Sequence, residues 1–173
     1  MSAFAMHLDV TEVALLGAAW EQAPEMVLEE LATGVLEATL LLEREVRERT
    51  PTGVGADAGL RGSISGREPE ILADQVIGVV GTALAYALPV ELGTRPHRPP
   101  VGPLIDWARA KFGVDRAEAE RIGWAVQRKI AARGTEGAAM FRTGFDANRP
   151  QVEAIMARAH QRIVERLAEG SPR

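Results

Sequence analysis

The side chains best suited to chemistry are few and far apart. The chain of 173 residues holds three histidines, His7, His97 and His160, and no cysteine. No pair of histidines has the H-x-x-x-H spacing that places two imidazoles on one helix face for a metal, and no carboxylate completes such a set. Without cysteine there is no thiolate chemistry, no disulfide framework and no zinc site of the cysteine type. A G-x-S-x-G elbow and a Walker loop are both missing, so acyl and phosphoryl transfer lack their usual scaffolds. Gly53, Gly55 and Gly59 have a spacing loosely like that of a dinucleotide-binding turn. A phosphate cradle, however, needs a strand, a turn and then a helix N-terminus. Here a helix precedes the glycines, and Leu60-Arg61-Gly62-Ser63-Ile64 reads as too polar and Gly-broken to open one, so the segment reads as a plain loop. Carboxylate pairs such as Glu29/Glu30 read as a solvated helix face. His97 would titrate near neutrality if it stood beside Glu91; the plainer reading is an exposed loop histidine. The expectation is a protein that is not an enzyme and takes no cofactor and no metal.

Two features remain. Arg158, Arg162 and Arg166 recur at four-residue spacing and line one helix face, as phosphate-contacting arginines would. Glu165 and Glu169 flank them, no aromatic is interleaved and the chain is acidic overall, which favours a solvated or protein-contacting face. The second feature is Tyr86–Pro100, which runs from apolar residues through Val90-Glu91-Leu92-Gly93-Thr94 into an Arg/Pro/His arm and contains four prolines. The charge balance switches inside it. Residues 1–91 carry 15 acidic and 5 basic side chains, and residues 92–173 carry 9 acidic and 15 basic, against a net charge of −4 for the whole. Such asymmetry points to an anionic partner for one half or to self-association of acidic face on basic face.

The elements that position these residues follow from periodicity. Residues 7–20 fit a strand or a short helix. Pro24 suits a first helical turn, with Glu25, Glu29 and Glu30 near the positive end of the dipole. Leu28, Leu31, Val35, Ala38, Leu42 and Val46 then make one apolar face, predicting a helix from Pro24 to Arg49 that ends before Pro51. Leu36, Leu40 and Leu41 widen the stripe and predict core contact on more than one side. Leu60–Ser65 and Gln75–Leu84 read as a strand pair with a turn or loop tip at Gly66–Pro69, and Tyr86–Glu91 as a third strand that Pro89 confines to an edge or a bulge. Pro103 opens a short helix ended by Gly113, and Asp115 caps a second over Arg116–Arg133. Ala138–Phe145 reads as a last strand. Asp146 or Asn148 would cap a terminal helix with Pro150 in its first turn. Trp107 and Trp124 read as core residues. The whole is one soluble α+β domain over residues 1–173, with 103–133 a helical insertion and 50–59 and 95–102 a flexible loop and arm. Asp9 and Glu12 make Met1–Trp20 unlike a signal peptide, and no apolar run approaches a membrane span.

Thr50-Pro51, the glycine-rich loop and Gly59-Leu60-Arg61-Gly62-Ser63-Ile64 resemble the T-P…T-G-x-L-R-x-S-I segment of a tailed-bacteriophage family. These are the small tail-component or neck proteins, of the tail-completion or head–tail joining type. Tyr86-Ala87-Leu88-Pro89-Val90-Glu91-Leu92-Gly93-Thr94 resembles the family's Y-A-x-x-V-E-x-G-T segment nearly residue for residue. Ala139-Met140-Phe141-Arg142-Thr143-Gly144 and the helix after it resemble the closing segment. The likeness runs in order over about residues 24–168; Pro89 and the helical pair over 103–133 depart from it.

The resemblance implies a long helix packed on a small sheet, in a structural protein of the virion neck or tail top, assembled in the host bacterial cytoplasm. Its partners would be copies of itself in a ring, six being the expected number, with neighbouring connector and tail-tube proteins. DNA would pass through an acidic lumen without specific recognition, and no membrane is involved. Candidate subunit or partner contacts are Glu91, Gly93, Thr94, Arg95, His97, Arg98, Arg142, Arg158, Arg162 and Arg166. The alternative is a small DNA-binding regulator using the arginine-rich C-terminal helix. A third reading, a hydrolase with Glu91, Arg95 and His97 at its site, requires those three to converge.

Overall fold

The computed structural model describes residues 4–7, 24–52, 59–72 and 75–169. The expectations for residues 8–20, for most of the glycine loop and for the tail after Glu169 fall outside the described residues. The architecture is α+β, with a long N-terminal helix, a small antiparallel sheet, a helical pair and a long C-terminal helix. In chain order the elements are β1 (Phe4–His7), α1 (Pro24–Arg49), α2 (Leu60–Ser63), β2 (Ser65–Gly66), β3 (Glu70–Ile71), β4 (Val76–Ile77) and β5 (Val79–Thr82). They continue with α3 (Ala87–Leu92), β6 (Gly93–Thr94), α4 (Val101–Phe112), α5 (Arg116–Arg133), β7 (Thr135–Glu136) and α6 (Met140–Glu169). The chain groups into two compact units. The first comprises Met1–Phe4, Arg47–Ser63 and Thr82–Phe141; the second comprises Ala5–Val46, Ile64–Gly81 and Arg142–Arg173.

The second unit is built on α1, whose bounds match the periodicity at both ends. Val27, Leu31, Val35, Ala38, Leu42 and Val46 are buried along one face, and each larger one contributes about 1.5–3 kcal/mol of burial. Val27, Leu31, Val35, Val76 and Ile163 form one apolar cluster joining α1, the sheet hairpin and α6. Along α6 the contacts run from Gly144 beside Val46 to Ala159 beside Gly34. The two helices are therefore antiparallel. Leu36 and Leu40, expected in the core, are exposed instead, Leu40 to 56%; they stand on the face of α1 opposite the buried stripe.

The hairpin lies across α1. In it β2 pairs with β5 through Ser65↔Gly81 and Gly66↔Val80, and β3 pairs with β4 through Glu70↔Ile77 and Ile71↔Val76. β1 lies on the other edge of β5. Arg67 N–H donates to Val79 O beside the β2–β5 pair, and Leu72 N–H donates to Gln75 O beside the β3–β4 pair. The expected turn or loop tip at Gly66–Pro69 is instead the link between β2 and β3, whose residues 67–69 are outside any strand; Gly66 N–H donates to Glu43 Oε2 of α1 at 2.7 Å. Gly78 separates β4 from β5 at the closest approach to α1: a Cβ there would lie 2.7 Å from Val35 Cγ1 and closer still to Thr39 Oγ1.

Three predicted strands are helices, and one principle accounts for all of them. Leu60 and Ile64 are buried four residues apart, as are Ala87 and Glu91, a helical and not an alternating period. Leu60–Ser63 makes one helical turn, closed by Ser63 N–H donating to Gly59 O. Pro89 is the third residue of α3, where its missing N–H is not needed. Met140, Phe141, Gly144, Asn148, Val152 and Ile155 are all buried, so the closing apolar segment and the terminal stripe are one helix. α6 accordingly begins at Met140 and contains Pro150 in its interior, ten residues in from the start. Asn148 does not cap it; its Nδ2 donates to Gly144 O at 2.8 Å and to Glu45 Oε2 of α1 at 3.1 Å.

In the first unit, α4 starts at Val101, two residues before Pro103, and ends at Gly113, whose N–H donates to Arg109 O. Asp115 caps α5 as expected, accepting from Glu118 N–H at 2.8 Å. α4 packs on α5 with Ile105 seated against Gly123.

The fit at Gly78 predicts that Gly78→Ala destabilises the protein by about 1–3 kcal/mol through overpacking. Gly102→Ala, although the site has open space around it, should not stabilise, because the ring of Pro103 crowds a Cβ on a helical residue just before it. Urea unfolding of the two variants, read against the parent chain, checks both.

Candidate assembly interface

The segment Val90–Thr94 folds into a clasp with Thr135–Phe141, within the first unit. Val90 O and Glu91 O accept from Ala138 and Ala139 N–H at 2.8 and 3.0 Å. Gly93 pairs with Glu136 and Thr94 with Thr135 in the antiparallel β6–β7 ladder. Gly93 has a φ of 79°, a backbone state L side chains seldom adopt, and a Cβ on it would run into Thr135 O. The glycine in Val-Glu-Leu-Gly-Thr is thus required by the clasp itself.

Glu91 lies at its centre, only 4% exposed. Its Oε2 accepts the N–H of Phe141, the second residue of α6, at 3.0 Å. The first N–H groups of a helix have no partners within it, and the dipole there favours negative charge. A carboxylate from fifty residues earlier therefore caps the long C-terminal helix. Ala139, just before that helix, has a φ of 48°, which is uncommon for a residue with a side chain. Glu91 is consequently not presented to a partner.

The arm that follows is tied down. His97 N–H donates to Ile130 O of α5 at 3.4 Å, and Gln127 Nε2 donates to Pro99 O at 2.8 Å. His97 Nδ1 lies 2.9 Å from Arg95 O and 3.4 Å from Thr94 Oγ1, which also meets Thr135 Oγ1 at 2.9 Å. His97 is exposed and its partners do not include Glu91, so Glu91, Arg95 and His97 do not converge as one reactive site. Arg95 and Arg98 are exposed on the arm, and Arg142 is exposed at the start of α6. Among the described residues no three His, Asp or Glu side chains come together to hold a metal ion.

The arginine ladder faces α1, within the second unit. Arg162 Nε donates to Glu30 Oε2 at 2.8 Å, Arg166 Nη1 to Glu30 Oε1 at 2.9 Å, and Arg158 Nη2 to Glu37 Oε1 at 2.7 Å. Glu30, read from sequence as one of a solvated pair, takes an arginine on each oxygen. Those hydrogen bonds, Arg162's first, hold its carboxyl below the ordinary glutamate value of 4.5. The three cations that a phosphate backbone would need are engaged within the chain.

One exposed feature runs against the sequence reading. Trp124, expected in the core, is 49% exposed on α5. It sits roughly opposite the Ile122/Val126/Ile130 stripe at 100° per residue, a helical-wheel signal that was present in the sequence. Trp107 is half-buried, with Phe112 edge-on at 5.6 Å and the Lys111 ammonium 5.1 Å from its ring centroid.

No family model matches the sequence, and searches of curated proteins and of solved structures find no significant match. Among the described residues no helix is long and apolar enough to cross a membrane.

Two outcomes follow. Glu91→Ala, which orphans the Phe141 N–H, should cost about 1–3 kcal/mol in urea unfolding, and Glu91→Gln, which keeps an acceptor, less. For Glu30 the folded pKa is depressed, so its contribution is complete above the unfolded glutamate value and is lost as pH falls through the lower folded value. Glu30→Gln should therefore cost about 1 kcal/mol at neutral pH. The gap between Glu30→Gln and the parent chain should close as the pH drops below the ordinary glutamate range.

Proposed function

We propose that the chain is a structural virion protein of a tailed phage, part of the neck or tail-top ring that joins tail to head. The observation that carries this reading is the clasp. The two segments singled out by their likeness to the phage family, Tyr86–Thr94 and the one opening at Ala139, lie far apart in sequence. They meet through the Glu91 carboxylate and the Val90/Glu91 carbonyls. Shared motif residues that build one another's backbone geometry are what a common fold would retain. The α+β build, with a long helix under a small hairpin, agrees with the same expectation. The rival, a DNA-binding regulator, is weakened where it was strongest, because Arg158, Arg162 and Arg166 are paired with Glu37 and Glu30.

In this reading the protein has no catalytic task. It acts through contacts with copies of itself and with connector and tail-tube proteins, and its location is the assembled particle.

Mass spectrometry of purified particles checks the assignment: the chain should be present, in a copy number that is a small multiple of six. Its absence from particles, together with salt-sensitive retention on immobilised DNA, would replace the phage reading with the regulator.

A further inference from the structure

Among the described residues, the outward face of α5 makes no ion pair and no ring contact. Ala117, Arg121, Trp124, Ala125, Arg128 and Ala132 follow one another at helical spacing and all are exposed, while Ala119 and Gly123 on the other side are buried. The face is a tryptophan bracketed by two arginines on a floor of alanines. Neither Arg121 nor Arg128 enters an ion pair among the described residues. Aromatic and arginine side chains in this arrangement are the usual anchors of a protein interface.

The outward face of α1 is its complement. Glu25, Glu29, Leu36, Leu40 and Glu48 are exposed along one stripe with Thr33 among them. Its cations are Arg44, which is bonded to the neighbouring Glu45, and Arg47, which is half-buried and engaged within the chain. Two leucines are thus set in an acidic rim, where α5 has a tryptophan set in a basic one.

We infer that the α5 face of one copy docks on the α1 face of a second copy, with Trp124 against Leu36 and Leu40 and with Arg121 and Arg128 against the glutamates. The occupant is a second copy because the complementary charge and the apolar centre are both found on this chain. Because the two faces differ, the contact is heterologous, and repetition closes into a ring or continues as a filament. The inference rests on the ring reading above and supplies its two surfaces.

The absence of cysteine makes a pairwise cross-linking test clean. One preparation carries Ala125→Cys and the other Thr33→Cys, at small exposed positions of the two faces. After mixing at the highest soluble concentration and mild oxidation, the mixed adduct should exceed both self-adducts severalfold. It should fall about tenfold when Trp124→Ala is added to the first partner, and should fall as salt is raised. Arg121→Glu with Arg128→Glu should abolish it, and Glu25→Arg with Glu29→Arg on the other partner should restore it. Dominant self-adducts, or no adduct at all, would overturn the proposal. So would binding of a fluorescent DNA oligonucleotide that the two arginine reversals remove. A mixed adduct from a protein absent from virions keeps the contact and discards the phage assignment; a virion protein without the adduct does the reverse.

Discussion

A buried carboxylate has to be hydrogen-bonded or it is too costly to keep. The fold uses that requirement at Glu91. Its oxygen takes the backbone N–H that the 30-residue helix α6 cannot satisfy internally. In doing so it locates the start of α6 next to β6 and β7. The turn that precedes the helix, the unusual backbone of Ala139 and the requirement for glycine at position 93 all follow from bringing these segments so close. A side chain whose type and motif suggest an acid or a partner contact is a structural cap.

The second polar constraint is the seam between α1 and α6. Exposed ion pairs contribute little individually, and Arg158–Glu37 is of that kind. Glu30 differs because its carboxylate is largely covered and each of its oxygens takes an arginine. Together with Asn148 bonded to Glu45 and Gly66 bonded to Glu43, these contacts select one register of α1 against its neighbours. The apolar stripe alone would tolerate a slide along the helix axis.

Legibility followed the range of the interactions. α1 and α5 were readable to their ends, because an apolar period, a cap and a breaker are all local signals. The two-residue strands were not, nor were the helices over 60–63 and 87–92. In segments this short a buried pair four residues apart looks much like β-branched alternation until the partner surface is known. The arginine stripe was visible, but its meaning was not, since Glu30 and Glu37 lie more than a hundred residues away in the chain. Glu91 was conspicuous as part of a motif, whereas its bond to a backbone N–H leaves no trace in residue type. Trp124 is the converse case: residue type points it inward, whereas the helical wheel places it on the outward face, where it lies.

The pairing of α1 with α6 also determines when the protein can fold. The buried stripe of α1 is synthesised early, and Val27 meets Ile163, which is made near the end. Until then the nascent chain carries a long amphipathic helix with no cover but the hairpin. Contacts of such sequence separation make closure slow and leave apolar surface open to holdases or to neighbouring chains in the meantime. A polypeptide cut short within α6 would keep the sticky half of this pair and lose its lid, so C-terminal truncations belong with aggregation and proteolysis more than with a smaller native state.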